Sequence, residues 1–128
     1  MTSTEFRSLY AIVDDEPSMA QLVSDMLSSA NVDVETFSRG GDFLRCANLQ
    51  KFRAVILDLS IPDIDGFELM AKLAANLVSM PILLMSGRDS ATIDAAEIYG
   101  RGIGLTICGA LTKPFTKDQL FSGLGLPT

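Results

Sequence analysis

Five positions in this chain carry side chains that could do chemistry together: the pair Asp14 and Asp15, then Asp58, Ser86 and Lys113. Singly, each has an ordinary explanation. The acidic pair would serve a turn before a helix, Asp58 a strand end, Ser86 a loop hydroxyl and Lys113 a solvated charge. Gathered in one site, three carboxylates repel one another, and the site takes up either a proton or a cation. Hard oxygen donors without His or Cys favour Mg²⁺, for which Mn²⁺ can substitute. An aspartate titrates near 3.9 when unperturbed, so Asp58 is already a nucleophile at neutral pH and needs no general base. Phosphoryl transfer requires mainly alignment and neutralisation of the charge on the equatorial oxygens, which a metal and Lys113 would supply. Ser86 is left to hydrogen-bond a phosphoryl oxygen.

The elements that must position these residues are legible as five short apolar runs: Leu9 to Val13, Val32 to Thr36, Ala54 to Leu57, Ile82 to Met85, and a run within Leu105 to Leu111. Their brevity and β-branched content predict strands. Between the first two, Met19, Leu22, Val23, Met26, Leu27 and Ala30 follow helical spacing behind Pro17, which suits a first helical turn. Phe67, Met70, Leu73, Ala74 and Leu77 repeat the pattern after Gly66, and Thr116 to Gln119 reads as a capping box opening a last helix. Weaker helical stretches fall at Gly41 to Asn48 and Ser90 to Tyr99. Strand starts step by 22, 22, 28 and 23 residues, the length of a strand, a helix and two loops. The expected fold is α/β, a flavodoxin-like (βα)₅ doubly wound parallel sheet in the order 2-1-3-4-5, because five units are too few for a closed barrel. In that order the five chemical residues all fall at the carboxyl ends of strands, where such sheets bind ligands.

Composition narrows the class. A chain of 128 residues fits one domain, 1–128, with a core of about 9–124. It is 48% hydrophobic, yet no window reaches the roughly 18 apolar residues of a membrane span. The start, Met1 to Arg7, lacks the pattern of a signal peptide, so a cytoplasmic protein is expected. The formal net charge of −6 disfavours direct nucleic-acid binding, which depends on Lys and Arg neutralising phosphates. The absence of histidine excludes imidazole catalysis and imidazole metal ligation. Cys46 and Cys108 stand far apart and are expected as small buried apolar groups.

The acidic pair Asp14-Asp15, the run Ile56 to Gly66 around Asp58, Ser86-Gly87 and Lys113-Pro114-Phe115, in this order on these strands, resemble the motif set of two-component response-regulator receiver domains. The resemblance spans about residues 9 to 124. It implies that Asp58 is the phosphoacceptor, that Asp15 binds Mg²⁺ directly and Asp14 largely through water, and that Ser60 lends its backbone carbonyl to the metal. It further implies that Ser86 and Lys113 grip the phosphoryl group, that Ser60 and Arg88 modulate hydrolysis, and that the donor is a phosphohistidine on a sensor histidine kinase or phosphotransfer protein. The chain would then be no enzyme beyond assisting its own phosphorylation and dephosphorylation, a switch in a phosphorelay that regulates an output domain or partner through its fourth helix, fifth strand and fifth helix.

Two features depart from the family pattern. The aromatic residue usual three positions before the lysine is Ala110, and Ser86 to Lys113 spans 27 residues, with Gly100 to Gly104 in the excess. A longer fourth helix or exit is expected. The stretch Ala95 to Pro114 is similar to receivers fused to EAL-type cyclic-di-GMP phosphodiesterase domains, which suggests that kind of output; a homodimer is the other expectation. Two alternatives compete. A phosphorylation-independent receiver would work as an interaction module, but the acidic pair, Asp58, Ser86 and Lys113 are all present. A haloacid-dehalogenase-like phosphatase would carry Asp-x-Asp on its first strand, whereas Asp58-Leu59-Ser60 follows the third and lacks the second acid. A dinucleotide site fails for want of Gly-x-Gly-x-x-Gly after the first strand.

Overall fold

The structure, a computed structural model, describes residues 7–46, 48–87 and 90–128. Five parallel strands, β1 (Leu9–Val13), β2 (Asp33–Phe37), β3 (Ala54–Asp58), β4 (Ile82–Ser86) and β5 (Ile107–Thr112), form one sheet in the order β2-β1-β3-β4-β5. Helices α1 (Pro17–Leu27), α2 (Gly40–Leu44), α3 (Gly66–Ala75), α4 (Ser90–Gly102) and α5 (Lys117–Leu124) make the connections. This is the flavodoxin-like (βα)₅ arrangement expected from the spacing.

Alternation along the strands builds two cores. Ala11, Val13, Val55, Leu57 and Leu84 face α2, α3 and α4, meeting Phe43, Leu69, Met70, Leu73, Ile93 and Ala96. Tyr10, Ile12, Ile56, Leu83 and Met85 face the other way, onto Val23 and Leu27 of α1 and Leu120 and Phe121 of α5. Every residue of β3 and β4 is buried, which explains why these strands read as unbroken apolar runs rather than as alternating ones. Edge strand β2 is partly exposed throughout.

Local chemistry sets the helix ends. Pro17 opens α1 where its missing N–H costs nothing. The capping box at α5 is present in both directions, Gln119 N–H to Thr116 Oγ1 at 3.1 Å and Thr116 N–H to Gln119 Oε1 at 2.8 Å. Helix α3 departs from expectation: it stops at Ala75, and Leu77, the last member of its apolar series, is 82% exposed. Leu77 adopts a left-handed φ of 57°, which turns the chain so that Val78 enters the core instead. Helix α4 runs three residues beyond Tyr99, and Gly100 lets it press on β5, since a Cβ there would lie 2.9 Å from Ile107 Cδ1. Helix α2 ends at Leu44, short of Asn48, and a 3₁₀ turn at Leu49–Lys51 follows. Cys46 and Cys108 are free and half-buried rather than enclosed. Among the described residues no helix is long and apolar enough to cross a membrane.

Candidate functional site

Parallel strands that share one direction deliver their last residues to one rim, and here β1, β3 and β4 end beside one another. Asp14 follows β1, its N–H bonded to the Phe37 carbonyl at the end of β2 at 3.0 Å. Asp58 is the final residue of β3 and Ser86 that of β4, one step past Met85, which is in register with Asp58. Asp14, Asp58 and Ser86 are buried, the only polar or charged residues so enclosed among the described residues. Lys113, just after β5, is tied to this rim through its backbone, its N–H donating to the Ser86 carbonyl at 2.9 Å.

The side chains converge on one ammonium. Lys113 Nζ, with 12% of its side chain exposed, donates to Asp14 Oδ2 at 3.0 Å and Asp58 Oδ2 at 3.2 Å. The remaining oxygens are held by the backbone: Asp14 Oδ1 accepts from Glu16 N–H and Asp58 Oδ1 from Ser60 N–H, both at 2.9 Å. Asp15 offers a third carboxylate, and one oxygen from each of Asp14, Asp15 and Asp58 lies within 4.8 Å of the other two. Asp15, Glu16, Asp58, Ser60, Gly87 and Lys113 line an open cleft of about 360 Å³. The sharp turn out of β3 depends on Gly66, where a Cβ would come within 3.1 Å of the Leu59 carbonyl oxygen.

Electrostatics follow from this crowding. Burial pushes the Asp58 carboxyl above its ordinary value and the charge of Asp14 adds to the rise, against the Ser60 amide and Lys113, which pull down. Burial alone would lower Lys113, but its bond to Asp14 and the charges of Asp58 and Asp14 outweigh it and hold the ammonium above its usual range. Three carboxylates against one ammonium leave a formal excess of negative charge that a divalent cation matches, and the donors are all hard oxygens. The acidic pocket therefore fits a metal such as Mg²⁺.

Of the residues singled out from sequence, Asp14, Asp15, Asp58 and Lys113 are brought together, Ser60 and Gly87 line the same cleft, and Ser86 is buried at the end of β4 beside it, outside the lining; Arg88 lies outside the described residues. Two residues were not foreseen. Glu16 brings Oε1 to 3.6 Å from Lys113 Nζ, a position that its adjacency to Asp15 hints at. Asp63 accepts from the N–H groups of Gly40 and Gly41, each at 3.0 Å, anchoring α2 to the loop after β3; a partner 22 or 23 residues away leaves no local pattern. Ala110 is half-buried and packs on the α3 and α4 side, where the rings of Phe67 and Tyr99 meet at 5.3 Å.

Comparison with known proteins agrees with this fold. The family model of the response regulator receiver domain matches residues 11–124. The cell cycle response regulator CtrA of Brucella ovis is 32% identical over 111 residues, covering 87% of this chain and 46% of that protein. The chain thus spans about half the length of the curated relatives it matches. A response regulator from Colwellia psychrerythraea superposes with a TM-score of 0.80 at 30% identity, covering 92% of this chain and 94% of that one. The chemotaxis protein CheY4 of Vibrio cholerae does so at 0.78 and 30%, covering 94% and 98%.

Proposed function

Since this chain belongs to the response regulator receiver domain family, whose members are signalling switches of two-component systems rather than catalysts, we propose that it is switched by phosphorylation of Asp58. The observation that carries the reading is the buried Asp58 carboxylate, held with Asp14 by the single ammonium of Lys113 beside a third aspartate at an open cleft. A donor phosphoryl group enters in line with an Asp58 oxygen, Lys113 turns from the carboxylates to the incoming oxygens, and Ser86 closes on the group from β4. Asp14, Asp15, Asp58 and the Ser60 carbonyl would hold Mg²⁺, with Mn²⁺ able to replace it, and the ion would supply charge neutralisation at the phosphoryl oxygens.

The chain acts as one receiver domain over 1–128 and works in the cytoplasm. A sensor histidine kinase or phosphotransfer protein supplies the phosphoryl group. The change leaves through α4, β5 and α5 to an output domain or partner, of which a cyclic-di-GMP phosphodiesterase and a second copy of the chain are the two kinds favoured by its sequence. With Ala110 on β5 there is no ring at that position to move; the route proposed instead is movement of Ser86 and repacking of α4.

Incubation with acetyl phosphate and Mg²⁺ tests the reading. One phosphoryl group adds about 80 Da, and Asp58→Asn should remove the gain entirely. A gain that persists in the variant sinks the assignment to Asp58. Continuous turnover of donor with Asp58-dependent kinetics beyond a stable adduct would indicate a phosphatase, and no gain in either protein an interaction module.

A further inference from the structure

We infer that Glu16 is an electrostatic gate on the cleft, a specificity-determining residue whose charge slows phosphorylation by small anionic donors; this rests on the phosphoacceptor reading above. Glu16 is the N-cap residue of α1, yet its side chain makes no capping hydrogen bond. The fold uses its backbone instead: the carbonyl accepts from Met19 and Ala20 at 3.1 and 3.0 Å, and the N–H donates to Asp14. The carboxylate is left to reach over the cleft, 62% exposed, to Lys113 Nζ at 3.6 Å.

Lys113 is the only cation among the described residues lining that cleft. Three carboxylates share it, and two of them, Asp14 and Asp58, belong to the buried cluster expected to bind the metal and accept the phosphoryl group. Glu16 has no such part. Its charge acts twice on an arriving dianion: it repels the donor at the mouth, and it competes for the ammonium that must meet the phosphoryl oxygens. In the transfer itself an Asp58 oxygen forms the new P–O bond while the bond from phosphorus to the acetyl oxygen breaks, and acetate departs with that electron pair. Glu16 touches no reacting atom in this step. Its effect is on approach and on the position of Lys113.

Rates of adduct formation at saturating Mg²⁺ test the inference, read by mass for wild type, Glu16→Gln, Glu16→Asp and Glu68→Gln. Glu68 pairs with Lys72 on α3, away from the cleft, and controls for net charge. Glu16→Gln should accelerate acetyl phosphate about threefold or more at low ionic strength, with the gain shrinking as salt screens the charge. The gain should be smaller for phosphoramidate, which carries less negative charge, and Glu16→Asp and Glu68→Gln should stay near wild type. A Glu16→Gln rate equal to or below wild type, a gain indifferent to salt, or an equal gain in Glu68→Gln overturns the inference while the phosphoacceptor reading stands. A wild-type chain that gains no mass overturns both.

Discussion

Asp58 and Asp14 are buried side by side with one ammonium between them, and the consequence is a definite pH dependence. Burial raises the Asp58 carboxyl above its ordinary value, so the native state holds this proton more tightly than the unfolded chain does. The contribution to stability is then complete below the unfolded value near 3.9 and is lost as pH rises through the folded value. Without metal, wild type should therefore lose stability relative to Asp58→Asn as pH climbs above about 4 in urea melts. Parallel curves for the two proteins would contradict this. Lys113, also raised, has the same sign, its contribution lost only as pH rises through its elevated folded value. Divalent metal acts on the same carboxylates. Mg²⁺ at 100 times its dissociation constant should add about 2.7 kcal/mol, seen as a rise of several degrees in Tm, because the unfolded chain lacks the site. Asp15→Asn should cut that rise, and an equal rise in the variant would remove Asp15 from the ligand set.

At the scale of elements, the rim is braced by contacts that join separate βα units. Lys113 ties β5 to β4 through the Ser86 carbonyl at 2.9 Å. Asp63 does the same for α2, a helix of five residues whose first N–H groups have no side-chain cap of their own. Those amides hold the Asp63 carboxyl below its ordinary range, the Gly41 bond most of all. A lowered acid contributes stability above its unfolded value, and this is lost as pH falls through the folded one. Asp63→Ala should cost about 1 kcal/mol by chemical denaturation at neutral pH, near the lower part of the range for helix caps because the group faces solvent. The cost should fade as pH falls below the unfolded value near 3.9 and through the lowered folded one. Faster amide exchange at Gly40 and Gly41 would locate the loss; unchanged stability and exchange would show that the packing of Gly40, Phe43 and Leu44 holds α2 without Asp63.

For the whole molecule, function depends on whether chemistry at one rim alters a surface elsewhere. The path available is short: α4 begins at Ser90, four residues after Ser86, and near its end it presses on β5 at Gly100. Ile98, 73% exposed on α4, offers an apolar contact on the outer surface. Phosphorylation shifts an association equilibrium only when the two states bind a partner differently. Sedimentation with and without beryllofluoride should therefore show a change in self-association through α4, β5 and α5. Identical behaviour across a wide concentration range would exclude the second copy as partner.

Spacing along the chain determined the five alternating strand and helix units and the membership of the acidic cluster, because side-chain period and strand length are local properties and parallel strands deliver their ends to one rim; the order 2-1-3-4-5 came from the precedent of open doubly wound sheets. Asp14, Asp15, Asp58 and Lys113 could be grouped on those grounds alone. The capping box at Thr116 was equally legible, since both partners sit within one turn. Only the tertiary structure decided that Leu77 leaves the core, because the backbone there turns left-handed to admit Val78. It alone showed Lys113 bridging Asp14 and Asp58, Glu16 reaching the same ammonium, and Asp63 holding α2. Each of these is a contact between segments far apart in sequence, fixed by how layers pack and not by any period within one of them.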